Sequence, residues 1–217
     1  MPDKLYIDIH THKTAHTNGE SRIVNKQDDF ETVSEDDLYS MGIHPWFIRD
    51  EAKIQLASLA EQAGKESVVA IGECGLDRLS TIPFTLQQRV FEAQIHLANE
   101  LNKPLIIHCV KAFDDALLLL RQAKVPVIFH GFDKKQGVAQ QVLNAGYFLS
   151  FGAAIASGST QASVVLAAIP GNRFFLETDD KDINIQEIYK IAAAIRKTEV
   201  DAIILQVQQN YHKVFGL

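Results

Sequence analysis

Along the 217 residues, short apolar runs alternate with stretches in which apolar residues recur every three or four positions. The runs "VVAIGEC" (68–74), "PLIIHC" (104–109), "PVIFHG" (126–131), "YFLSFG" (147–152) and "RFFLETD" (173–179) are β-branched or aromatic and bounded by Gly or Pro, the pattern of buried strands. Helical periodicity fills the gaps. Residues 85–102 open with Thr85 and Gln88 at capping-box spacing and carry Val90, Ala93, Leu97 and Leu101 on one face. Residues 112–123, 134–145 and 159–168 read as further helices, the second stopped by Gly146. Each gap between the later strands is long enough for a parallel crossover of roughly a dozen residues.

Three earlier runs, "LYIDIH" (5–10), "DLYSMGIHP" (37–45) and the weaker "RIVNK" (22–26), bring the strand count to eight. The predicted fold is α/β, a (β/α)8 TIM barrel somewhat below the usual ~250 residues. Residues 13–21 are too few for a crossover helix and 27–36 are rich in Asp and Glu. The barrel is therefore expected to be distorted, with a shortened or missing first helix, or its first two helices replaced by loops. An incomplete seven-stranded barrel is the alternative.

Composition narrows the picture. The chain is 47% apolar and 22% charged, with no linker or low-complexity run, so residues 1–217 read as a single domain able to bury its own core. Asp3 and Lys4 lead straight into an alternating run, which is no secretory leader. No segment approaches the ~18 unbroken apolar residues of a spanning helix, and no membrane or obligate protein partner is implied. Cys74 and Cys109 form no CxxC, which fits a reducing compartment, with the cytoplasm as default. A net charge of -6 argues against a dedicated nucleic-acid binder but not against an enzyme that meets phosphates through metal ions.

The polar residues at the strand ends carry the chemistry. His10 and His12 end the first strand, Glu73 the fourth, His108 the fifth, His130 the sixth and Asp179 the eighth. In a parallel barrel those ends open on one rim. Four imidazoles and two carboxylates there make a ligand ring for one or two divalent ions, Mg, Mn or Zn. Period two puts His10 and His12 on one face of their strand, within reach of one ion. Glu177 shares the face of Asp179 and is a candidate acceptor for a ligand imidazole N–H. Lys111, Lys134, Lys135 and Arg78 follow these strand ends and are candidate phosphate contacts. His16, His96 and His212 read as loop or helix histidines. Cys74 and Cys109, each following a ligand, are expected to be small buried hydrophobes, and the acidic cluster at 28–37 to face solvent.

The motifs "YIDIHTH", "GIHPW", "AIGECGLD", "PLIIHC", "FHGF", "FLETD" and "NYHKVF" resemble, in order and spacing and over nearly the whole chain, the TatD family of metal-dependent hydrolases. These are amidohydrolase-like barrels, many regarded as deoxyribonucleases. The resemblance implies one metal held by His10, His12, Glu73 and Asp179, and a second held by His108 and His130 with Glu73 shared. It implies His44 as a substrate contact, not a ligand. The PHP phosphoesterase domains also begin with DxHxH and a loop such as Asn18-Gly19, but "GECGLD" and "ETD" favour TatD. Departures are the short 13–36 region, Val110 where an Arg is common, and Asp180 where a small residue and then Pro usually follow.

The implied reaction is hydrolysis of a phosphodiester by metal-activated water, with Asp179 orienting the water and accepting its proton, Glu73 between the ions, and DNA as substrate. Two alternatives stand: an esterase or amidase on a small molecule, and an inactive barrel acting as a binding module.

Overall fold

The computed structural model describes residues 5–14, 19–27, 30, 31, 34 and 37–217. Eight strands follow chain order in one sheet: β1 (Tyr6–Thr11), β2 (Glu20–Lys26), β3 (Leu38–Met41), β4 (Val68–Asp77), β5 (Leu105–Val110), β6 (Val127–Phe129), β7 (Phe148–Phe151) and β8 (Phe174–Leu176). The pairs with assigned register are parallel. The helices are α1 (Ala52–Ala63), α2 (Phe84–Leu101), α3 (Phe113–Leu119), α4 (Gln136–Asn144), α5 (Ala153–Ala156), α6 (Thr160–Ala168), α7 (Ile185–Arg196) and α8 (Val200–Phe215). This is a (β/α)8 barrel. Among the described residues no helix separates β1 from β2 or β2 from β3, and none is long and apolar enough to cross a membrane. His16, Asn18, Asp28, Asp29, Glu35 and Asp36 lie outside the described residues.

The chain packs as two compact units, Met1–Val24 with His130–Leu217, and Asn25–Phe129. In the first, β8 returns to β1. Asp179 N–H donates to the His10 carbonyl at 2.9 Å, and His12 N–H donates to the Asp179 carbonyl at 3.1 Å. The buried Asp8 carboxylate accepts from Thr178 N–H at 3.1 Å and from its hydroxyl at 2.6 Å. Burial pushes the Asp8 carboxyl up to about 7 even against those hydrogen bonds. From α7, the Tyr189 hydroxyl both accepts from Ile7 N–H and donates to Ile7 C=O, each at 3.0 Å.

In the second unit β4 is buried along all ten residues. Gly72 and Gly75 adopt φ of 148° and 144°, and a Cβ on either would run into the backbone oxygen of Ile106 or His108 on β5. Only glycine allows β4 and β5 to lie this close. On α2 the buried face is Gln87, Val90, Phe91, Gln94, Ile95 and Ala98, whereas the pattern predicted a stripe through Ala93, Leu97 and Leu101. Two glutamines move the stripe. Gln94 accepts from Ile43 N–H at 2.7 Å and donates to Ile43 C=O at 3.1 Å, and Gln87 does the same for Asp77 at 2.9 and 3.1 Å. A buried amide that pairs with a main chain counts as core, which an apolar pattern does not register. The predicted capping box is absent too. Pro83 takes the N-cap position, and its carbonyl accepts from Leu86 and Gln87 N–H at 2.9 and 3.1 Å.

Several predicted strands run past the observed pairing. β6 stops at Phe129 and β8 at Leu176, so His130 and Asp179 follow their strands rather than end them. Asp179 takes φ 55°, a left-handed turn that breaks the extended run. β4 instead extends to Asp77. The short α5, between β7 and α6, was not foreseen. Of the cysteines, Cys74 is fully buried as expected, but Cys109 is half-buried.

Gln94→Leu is expected to lower unfolding stability by about 2–4 kcal/mol, because it strands a buried N–H and a buried C=O together. A denaturant midpoint matching the parent chain would refute that role for the amide. Burial also drives the Cys74 thiol far above its ordinary range. Of the two cysteines, one should therefore react with a thiol reagent in the folded chain and both in guanidinium. Rapid native modification of Cys74, located by peptide mapping, would contradict its burial.

Candidate metal centre

In the first unit, His10 lies in β1 and His12 just beyond it, and the β1–β8 main-chain pairing brings Asp179 between their rings. Asp179 Oδ1 stands 3.6 Å from His10 Nε2 and 3.4 Å from His12 Nε2. Burial alone would raise the Asp179 carboxyl. The hydrogen bonds from His10 and His12, with the charges of His10 and His130, hold it well below the usual carboxylate range. His10 is fully buried, whereas the His12 and Asp179 side chains are about a third exposed, at 32% and 29%. The cluster is therefore open to solvent on one side.

His130 packs against His10, with ring centroids 4.3 Å apart. Its Nδ1 faces Glu177 Oε1 at 3.3 Å, and the same oxygen accepts from Gly131 N–H at 2.6 Å. Glu177 thus lies beside an imidazole, where it could accept the His130 Nδ1 proton. With the His130 proton directed to Glu177 from Nδ1, Nε2 is the ligand-type nitrogen. Glu177 is itself wedged in place, since a Cβ on Gly152 would stand 2.6 Å from the Glu177 carbonyl oxygen and 3.0 Å from its Cγ.

The second unit holds Glu73, His108 and His44. Glu73 Oε1 is 2.9 Å from His108 Nδ1 and 3.4 Å from His44 Nε2. Gln27 donates to Glu73 Oε2 at 3.1 Å and Asn25 at 3.4 Å, while Asn25 Oδ1 accepts from Glu73 N–H at 2.9 Å. His44 Nδ1 accepts from Trp46 N–H at 3.1 Å, so in the neutral ring the proton sits on Nε2 and points at Glu73. That tautomer presents a hydrogen-bond donor to Glu73. His108 Nε2 meets Asp77 Oδ2 at 3.0 Å.

Sequence reasoning passed over Asp77, Asn25 and Gln27. Asp77 had a signal: it lies four residues after Glu73 in one strand and so shares its face. Asn25 and Gln27 had none beyond their place at the end of the weakest predicted strand. The basic candidates are dispersed. Lys111 is exposed at φ 52° past β5, Lys134 is half-buried, and Lys135 occupies the N-cap position of α4. Arg78 is engaged elsewhere, 2.7 Å from Asp115 and 4.0 Å above the Phe84 ring. His96 and His212 are exposed on α2 and α8.

The first-unit donors fit a divalent ion. The donor atoms of His10, His12 and Asp179 all lie within 4.8 Å of one another. Ligands at about 2.1 Å from a tetrahedral ion stand about 3.4 Å apart, close to the observed 3.4 and 3.6 Å. The His44, Glu73 and His108 donors meet the same 4.8 Å limit. Imidazole with carboxylate suits Zn or Mn and admits Mg.

Comparison with known proteins places this geometry in context. Over 145 residues, 64% of the chain, the sequence is 35% identical to the metal-dependent hydrolase YabD of Bacillus subtilis, and the match spans 57% of that protein. It is 27% identical to the metal-dependent hydrolase YcfH of Escherichia coli K12 over 83% of the chain and 74% of the relative. It is 34% identical to the human 3'-5' RNA nuclease TATDN2 over 69% of the chain but only 21% of that longer protein. The crystal structure of YjjV, a TatD homologue from Escherichia coli K12, shares the fold over the whole of both chains, with a TM-score of 0.84 at 21% identity. A TatD family hydrolase from Entamoeba histolytica does so over 97% of each, with a TM-score of 0.81 at 20% identity. The sequence profile of the TatD related DNase family matches residues 27–216, and the chain belongs to the TatD family.

Proposed function

We propose that the chain is a metal-dependent phosphodiesterase that hydrolyses nucleic acid, with DNA as the first substrate to test and RNA as the second. The observation that carries this reading is the His10–His12–Asp179 cluster, three donors at ligand spacing with one solvent-facing side. Family membership and the names of the relatives, metal-dependent hydrolases and an RNA nuclease, support it.

In this reading residues 1–217 act as one hydrolase domain in the cytoplasm. By the family resemblance, His10, His12, Glu73 and Asp179 would hold one ion and His108 and His130, with Glu73, a second. When bound, such ions supply Lewis acidity toward phosphoryl oxygens and lower the pKa of the attacking water. The chain's own residues do the rest. Asp179, kept ionised by the histidines beside it, would orient the water and take up its proton as the phosphorus is attacked. Glu177 keeps the His130 proton on Nδ1, and Asn25 and Gln27 keep Glu73 in one rotamer through its Oε2. His44, Lys111 and Lys134 serve as substrate contacts, His44 through its Nε2–H.

The test uses the full chain, stripped with a chelator and restored with Mn, Mg or Zn. Substrates are end-labelled single-stranded DNA and RNA oligonucleotides beside a small phosphomonoester and a carboxylic ester. Oligonucleotide cleavage that is lost with the metal and returns with it is expected. Asp179→Asn, chosen because Asn tolerates the left-handed backbone at φ 55°, should retain the fold and lose about 10²–10⁴-fold in rate. His12→Ala should also abolish metal-dependent turnover. Undiminished cleavage by Asp179→Asn, or turnover confined to the small esters, would overturn the reading.

A further inference from the structure

Trp46, Phe47 and Leu79 stand in water beside the second-unit cluster, at 54%, 44% and 59% exposure. Tryptophan is highly buried on average, and this one is held in place while exposed. Its indole Nε1–H donates at 2.6 Å to Oδ2 of the buried Asp77, and its main-chain N–H donates to His44 Nδ1 at 3.1 Å. Phe47 N–H donates to the His44 carbonyl at 2.9 Å, and the Phe47 carbonyl accepts from the buried Gln55 amide at 2.9 Å. Leu79 N–H donates to the other oxygen of Asp77 at 2.7 Å. Ser80 Oγ donates to the Pro45 carbonyl at 3.1 Å and joins the two loops. An apolar surface held this way avoids the ordering cost that binding imposes on a mobile loop.

The position of this surface narrows what can occupy it. The Trp46 and Phe47 rings both flank His44, with centroids 5.9 and 5.4 Å from its own, and His44 Nε2 lies 3.4 Å from Glu73 Oε1. An occupant of the rings is thus one contact removed from the Glu73–His108 cluster and belongs to the same bound molecule. The faces of an indole and a phenyl ring suit a planar ring. The chain carries a net charge of -6, and Arg78 is already engaged by Asp115. Attraction to a phosphate backbone therefore supplies little, and affinity for a strand has to come from elsewhere. We propose that Trp46, supported by Phe47 and Leu79, is a stacking platform for one unpaired base of the substrate strand. The inference rests on the nucleic-acid reading above and adds to it a subsite for the base. Stacking of this kind is tolerant of sequence, because every base has a π-face.

The test uses the full chain with the ion that restores cleavage. Its probe is the end-labelled single-stranded oligonucleotide, in which each residue in turn is replaced by an abasic sugar with the phosphate chain kept. Loss of the base at one position should raise KM about 10–100-fold in the parent chain, with a smaller change in kcat. Trp46→Ala should raise KM on the intact strand by a similar factor, and Trp46→Phe, which keeps a ring, by less. Combined, Trp46→Ala and the abasic position should lose no more than either alone, because both remove the same contact. A purely structural role for Trp46, acting through Asp77, would make the two losses multiply.

Trp46 is the only tryptophan in the chain, so its emission gives a second readout. A phosphorothioate strand that resists cleavage should quench it on binding, with binding itself followed by anisotropy of the end label. The same strand made abasic at the position found above should bind without quenching. Multiplying losses, or a bound intact strand that leaves the emission unchanged, would overturn the proposal. So would emission that varies with protein concentration alone, the sign that a second copy of the chain covers the platform. Should Trp46→Ala not fold, the emission test decides. Cleavage by the parent with a failed platform test removes this inference alone, whereas a parent that cleaves no oligonucleotide removes the nucleic-acid reading with it.

Discussion

The candidate centre depends on a main-chain interaction. Asp179 hydrogen-bonds through its N–H to His10 and through its carbonyl to His12, forming a parallel bridge opposite Thr11. The carboxylate is thereby registered against the two imidazoles by backbone geometry, before any side chain is chosen. Asp8 reinforces the seam, accepting from both the N–H and the hydroxyl of Thr178. A carboxyl whose pKa is raised to about 7 by burial represents a real desolvation cost. The seam carries that cost where the ligands must align.

Three imidazoles, in the two units, each have a polar partner at one ring nitrogen. His130 faces Glu177, His108 faces Asp77, and His44 accepts from Trp46 N–H. A histidine becomes a useful ligand or donor only when the role of its second nitrogen is decided. Under the proposed function, these partners would decide that role. Their cost in buried charge is offset by packing elsewhere, in the fully buried β4 and in the Phe91, Phe129, Phe174 and Phe175 side chains.

What the sequence revealed follows from which signals are local. Apolar runs, five of them bounded by Gly or Pro, located all eight strands, and the shortage of residues between β1 and β2 agrees with the absence of a helix there among the described residues. The ligand-type residues stood out because charged groups are seldom buried unless paired. The errors have two causes, a local turn and polar pairs far apart in the chain. Thr85 and Gln88 had capping-box spacing, yet Pro83 opened the helix. Ala93 and Leu97 had the right period, yet Gln87 and Gln94 were the inward residues because two distant backbones, at Asp77 and Ile43, needed partners. Asp77 likewise looked like the end of a motif and proved to be the partner of His108. Gln94 with Ile43 and Asp77 with His108 are polar pairs made across 51 and 31 positions, and periodicity carries no information about such pairs.

Gly72 and Gly75 bracket Glu73, and neither has room for a side chain against β5. Their presence is thus a demand of strand spacing and owes nothing to hydrolysis. A descendant that had abandoned its chemistry would still be obliged to keep both, while its glutamate drifted. In this corner of the barrel the flanks of the motif certify the scaffold, and only the acid between them bears on the proposed chemistry.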